Sequence, residues 1–171
     1  MRSFLCILFV LLVVELFSQP GRPVLPEHYS RNTTEDFRKD QELVEKCLVW
    51  LCKTPINEDV AFRSEVNYFV MEWLAGSPQI TIDVKTKYAP FVNDYPELMF
   101  SLIHGMALYA LRHKAPYDEE KIHLKGLETV CDMIETSETL YEQKELRRVL
   151  KAKKRDKLKA YIQKEYLLQE K

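Results

Sequence analysis

The chain has 171 residues, with 25 Lys and Arg against 26 Asp and Glu, so the formal net charge is −1. Charged residues make up 30% and there are only 4 glycines, a helical composition with no sign of low complexity. Once a leader is set aside, about 150 residues remain, one domain's worth and enough to bury a core.

Residues 1–18 read as a secretory signal peptide. Met1 and Arg2 give a small positive start, and residues 4–17 are apolar except for Glu15. This run is shorter than the roughly 20 residues of a membrane span. Ser18 suits the position before a cut and Leu16 suits its own position less well, so an uncleaved anchor stands as the alternative. Cys6 lacks the small residues that precede a lipid-modified cysteine. Residues 19–34 carry three prolines and read as a flexible lead-in. Asn32-Thr33-Thr34 matches a glycosylation acceptor, a triplet common by chance.

A helical domain is expected over 35–171. Val44, Cys47, Leu48 and Leu51 set the stripe of a first helix. Phe62, Val66, Phe69, Val70, Trp73 and Leu74 set a second, with Arg63, Asn67 and Glu72 placed on its other side. Asn57 is the expected cap of this second helix, with Glu58 and Asp59 suiting its dipole.

The segments "WLCKTP" (50–55) and "WLAGSP" (73–78) read as two helices ending alike. Proline disfavours helical geometry in the residue before it, so Thr54 and Ser77 mark the ends. Gly76 is expected to supply a left-handed turn, and Trp50 and Trp73 to pack near one another in a wall of the core. Next comes "QITIDV" (79–84), where Ile80, Ile82 and Val84 alternate as in a strand that has no evident partner strand. It is expected to lie extended across the helices; beginning a further helix or pairing with another chain are the alternatives.

A third helix starts near Pro96 and is apolar almost all round over 98–111, so it should be central. Gly105 inside it costs about 1 kcal/mol of helix propensity and calls for a close helix crossing. A fourth helix opens at Asp118 with Glu119 and Glu120, and its stripe is His123, Leu127, Val130, Cys131 and Ile134. Two short helices should follow, their stripes out of phase across "KAKKRD" (151–156), with Asp156 capping the last. A single long helix with a twisting stripe is the alternative. The fold class is therefore all-α, a single-domain bundle of about five to six helices with an extended segment near 79–84.

The order of "VMEWLAGSPQITIDV", "PELMFSLIHGMALYAL", "HLKGLETVCDMI" and "KLKAYIQKEY" resembles a group of small secreted or periplasmic helical proteins of Bacteroidota. The resemblance covers most of the mature chain, and residues 73–78 with the block that follows are its strongest part. It is a similarity of layout. It implies an exported helical protein and brings no activity and no residue roles.

No catalytic, cofactor-binding or metal-binding residue can be nominated. Cys47, Cys52 and Cys131 are an odd set for a disulfide framework. Cys47 and Cys52 point about 140° apart on one helix; either could meet Cys131, or all three are small core residues. Among His28, His104, His113 and His123, no pair has metal-ligand spacing, and His104 reads as a satisfied core histidine. No nucleophile elbow or phosphate loop is present.

The one asymmetry is charge. Residues 144–164 hold ten Lys and Arg against two acids, a net of +8, whereas residues 20–143 carry a net of −8. The tail either complements the protein's own acidic body or meets an anionic partner: a membrane surface, lipopolysaccharide or an acidic protein. Nucleic acid does not suit an exported chain. The sequence thus reads as an exported binding or interaction module, with an inner groove lined by Phe62, Phe69, Trp73, Met99 and Met106 for an apolar ligand or protein partner. A hydrolase whose site is assembled from His104, His113, His123 and carboxylates is the alternative.

Overall fold

The computed structural model describes residues 21–85, 89, 94–113, 115–137 and 144–165. Residues 1–18, read as a signal peptide, lie outside them. The described residues form six helices, α1 (Thr34–Lys53), α2 (Val60–Gly76), α3 (Pro96–Arg112), α4 (Glu119–Thr136), α5 (Lys144–Lys154) and α6 (Leu158–Glu165), with no strand among them. The fold is an all-α bundle.

Helices α1 and α2 make an antiparallel hairpin fastened at both ends. Thr33 and Asp36 form a reciprocal capping box that starts α1. At the carboxyl ends, Thr54 closes α1 and Ser77 closes α2, each just before a proline. Trp73 is fully buried and donates its indole N–H to the Phe37 carbonyl at 2.8 Å. Trp50 instead packs edge-on against Phe62, with ring centroids 5.3 Å apart. The two tryptophans do not form one wall as expected. Both sit in the last turn of their helices, and antiparallel packing sends those turns to opposite ends, about 20 Å apart at 1.5 Å per residue.

Two local expectations are also corrected. Asn57 does not cap α2: a turn from Pro55 to Glu58 absorbs it, and the cap is Asp59, in left-handed conformation at φ 46° with no side-chain cap bond. The Asp59 carboxylate instead meets Arg22 at 3.3 Å. Gly76 adopts no left-handed turn, since no described glycine has positive φ. It lies under the Phe37 ring, where a Cβ would come within 2.6 Å of Cζ. Space, not backbone freedom, is what glycine supplies there.

Composition marks 19–34 as a flexible lead-in, yet its described part is laid along the α1–α2 hairpin. Pro23 is buried, and the Arg22 guanidinium sits 3.7 Å from the centre of the Phe62 ring. Arg31 pairs with Asp40 and lies over the Tyr29 and Phe69 rings. Tyr29 meets Phe69 edge-on and donates to Glu72 at 2.5 Å.

Helix α3 packs on both α1 and α4, the central place its apolar run predicts. Its crossing with α4 is set by two glycines. A Cβ on Gly105 would come 2.3 Å from Thr129 Oγ1 and 2.7 Å from the Lys125 carbonyl oxygen. A Cβ on Gly126 would come 2.8 Å from the Leu102 carbonyl oxygen. Each helix therefore presses its backbone against the other where the other has no side chain.

Residues 78–85 lie without regular structure. Ile80 is buried, Ile82 and Val84 are half-buried, and Thr81 and Asp83 are exposed, so the alternation read from sequence directs one face inward. The segment is held at its end by His123, whose Nε2 accepts from the Lys85 amide at 3.2 Å.

Asp118 caps α4, its side chain accepting from the Lys121 amide. The break expected in "KAKKRD" is present, but Asp156 ends α5 instead of capping α6. It takes φ 54°, the Lys157 amide reaches back to the Ala152 carbonyl at 2.8 Å, and the Asp156 amide to the Lys153 carbonyl at 2.9 Å. This is a Schellman closure, and aspartate tolerates the left-handed position it requires. Lys157 then opens α6, its carbonyl accepting from the Tyr161 amide.

The glycine crossing yields a prediction. Gly105→Ala should lower unfolding free energy by about 1–2 kcal/mol in urea titration, because overpacking outweighs the gain of about 1 kcal/mol in helix propensity. A variant more stable than the parent would show that the helices are not held at backbone contact.

Candidate functional site

Seven of the ten cations of the basic tail fall into two sets. Helices α5 and α6 bury Leu146, Val149, Leu158 and Ile162 and dock on α4. Lys153 reaches both Asp132 and Glu135 of α4. Its partial burial disfavours the charge, but the hydrogen bonds to those carboxylates outweigh this and hold its pKa above the ordinary value. Lys159 pairs with Glu120 at 2.9 Å, and Gln163 donates to the same carboxylate at 2.9 Å. The bond from Lys159 keeps Glu120 below the usual carboxylate range.

The second set points away from α4. Arg148, Lys151, Arg155, Lys157 and Lys164 are exposed, and none pairs with a carboxylate among the described residues. They line an open cleft of about 350 Å³ between α5 and α6, together with Ala152, Ala160 and Tyr161. The spacing explains the convergence. Residues 148, 151, 152 and 155 fall at i, i+3, i+4 and i+7, and residues 157, 160, 161 and 164 repeat the pattern, so each set forms one helical stripe. The turn at Asp156 sets the stripes side by side. The alanines leave a floor below the long cationic rims.

The histidines are placed separately. His123 accepts from the Lys85 amide, which leaves its Nδ1–H to donate to the Glu119 carbonyl at 2.8 Å. Burial lowers its pKa. His113 is exposed, stacks on Tyr109 and bonds the Tyr109 carbonyl through Nδ1. His28 is also exposed. His104 is fully buried, as expected, but it is not satisfied: neither ring nitrogen has a partner among the described residues. Burial first, and the nearby Arg63 charge second, push its pKa down to about 3.

Arg63 is the buried residue that periodicity missed. Its place beside the apolar stripe assigned it to the polar side, yet it is only 6% exposed. It donates to the Thr54 carbonyl at 2.8 Å and the Leu51 carbonyl at 2.9 Å, and approaches Met133 Sδ at 3.9 Å. The two oxygens belong to the carboxyl end of α1, where carbonyls lack helical partners and the dipole favours a cation. Without the tertiary fold, the sequence carries no signal for this.

Cys47, Cys52 and Cys131 are all free thiols. Burial pushes each up to about 12, so none supplies thiolate near neutral pH. Among the described residues, no group of three or more His, Cys, Asp and Glu could hold a metal ion. Phe62, Phe69, Trp73 and Met106 are buried in the core, and Met99 packs against it. No described helix is long and apolar enough to cross a membrane. No family model, curated protein or solved structure matches the chain.

His104 supports a prediction about pH. Its folded pKa lies below its ordinary value of 6.5, so its contribution to stability is full above that pH and is lost as pH falls toward 3. His104→Leu should remove this acid dependence, up to about 1.4 kcal/mol per pH unit, and raise stability by about 1 kcal/mol at neutral pH by removing an unpaired buried polar ring. Urea titrations at neutral pH and about pH 5 measure both effects. An unchanged acid slope in the variant would mean that the imidazole finds a partner in solution.

Proposed function

We propose that this chain is an exported helical binding module that contacts an anionic partner through the outer face of α5 and α6. One observation carries the reading: Lys153 and Lys159 are paired with α4, whereas Arg148, Lys151, Arg155, Lys157 and Lys164 face outward together without a described carboxylate. A tail that only neutralised the acidic body would turn these charges inward as well. Export is inferred from the amino-terminal run of residues 1–18 and from the resemblance of layout to small exported proteins of Bacteroidota.

The test uses the full-length mature protein and vesicles of phosphatidylcholine with or without phosphatidylglycerol, in a flotation assay at low and high salt. The parent should bind only anionic vesicles and release with added salt, because exposed charges are screened beyond about 10 Å at 0.1 M. Changing the five outward cations to glutamine should weaken binding by about a hundredfold or more, at about 1 kcal/mol per cation near an anionic surface. Lys153→Gln with Lys159→Gln should instead lower the melting temperature and leave charge-selective binding in place. Equal binding by the five-site variant and the parent would refute the assignment.

A further inference from the structure

The cationic face contains a cleft of its own shape, and this narrows the class of its occupant. We infer that the space between α5 and α6 is a binding site for a compact ligand bearing several phosphate groups. This rests on the reading of the face as anion-binding and goes beyond it.

Three features point to a compact polyanion. First, the lining holds five cations and no acid: Arg148, Lys151 and Arg155 on one rim, Lys157 and Lys164 on the other. A single monovalent anion cannot balance them. A phosphate monoester carries about −1.5 to −2 charge, so two or three such groups match the site. Second, each rim spans seven residues from its first cation to its last, about 10 Å along a helix. A short chain or ring of phosphates fits that length; a lone ion does not use it. Third, the rims flank a shallow open groove. Ala152 and exposed Ala160 leave its middle low beside Tyr161, and its volume of about 350 Å³ is at the lower end for a small ligand. A flat lipid surface would touch the rims and leave the floor empty.

The residue types agree. Arg148 and Arg155 offer planar forks that match two oxygens of one phosphate, and the lysines act as mobile point charges. The helical stripes fix where the stems begin, so the site is organised by the backbone although its side chains are exposed.

The probes are inorganic tripolyphosphate, orthophosphate and phosphatidylglycerol vesicles, with the full-length mature protein in titration calorimetry and flotation. Tripolyphosphate should bind one to one, at least about tenfold tighter than orthophosphate. Ala160→Trp fills the floor and keeps every charge. It should weaken tripolyphosphate binding by about tenfold or more while vesicle binding changes less than about twofold. Arg148→Lys with Arg155→Lys keeps the charge and removes the forks, and should also weaken tripolyphosphate. Circular dichroism melting confirms that each variant folds. Tripolyphosphate that binds no tighter than orthophosphate, or equally well after Ala160→Trp, overturns the cleft and leaves the anion-binding face standing if vesicles still bind. Failure of both tripolyphosphate and anionic vesicles to bind overturns both readings.

Discussion

The backbone contact between α3 and α4 at Gly105 and Gly126 is the constraint on which the molecule depends. It brings the two helices close enough that Leu102, Met106, Leu127 and Val130 are wholly buried. It also fixes which side of α4 faces inward. With its apolar side committed to α3, α4 turns Asp132 and Glu135, and near its start Glu120, toward solvent. Those carboxylates are what Lys153 and Lys159 find. The docking of α5 and α6, and hence the direction in which the remaining cations point, follows from one close crossing between α3 and α4.

The molecule handles the cations it withdraws from water in three ways, and the differences follow from desolvation. Arg63 is buried without a carboxylate and is held by the carbonyl end of α1, a dipole in place of a counter-ion. Arg31 is largely enclosed and combines Asp40 with the faces of Tyr29 and Phe69. Lys153, partly buried, takes two carboxylates. Each of these charges has a partner, in keeping with the cost of burying an isolated charge, although Nε and Nη2 of Arg31 have no hydrogen-bond partner among the described residues. The five cations of the cleft stay in water and need none for folding.

Much of the helical layout was legible because its signals are local. Proline after Thr54 and Ser77 ends two helices, Pro96 starts a third, and the phase shift across 151–156 breaks the tail. Gly105 was legible too, since a glycine inside an apolar helix needs a steric reason. What escaped depends on partners distant in the chain. Gly76 makes room for Phe37, Trp73 bonds the carbonyl of Phe37, and Arg63 serves the end of another helix. The division of the basic tail was hidden for the same reason: composition gives a net of +8 for 144–164, but only docking on α4 decides which charges are paired.

That division has an energetic consequence. Arg148, Lys151 and Arg155 repel along one stripe, and Lys157 and Lys164 of the other stripe add to this across the turn. The apolar anchors Leu146, Val149, Leu158 and Ile162, with the Lys153 and Lys159 pairs, must hold α5 and α6 together against this repulsion. An anion in the cleft would relieve it. Binding and the docking of the last two helices are then linked, because a ligand that prefers the closed pair stabilises it by mass action. The charges that burden the free hairpin are the ones that would draw its ligand in.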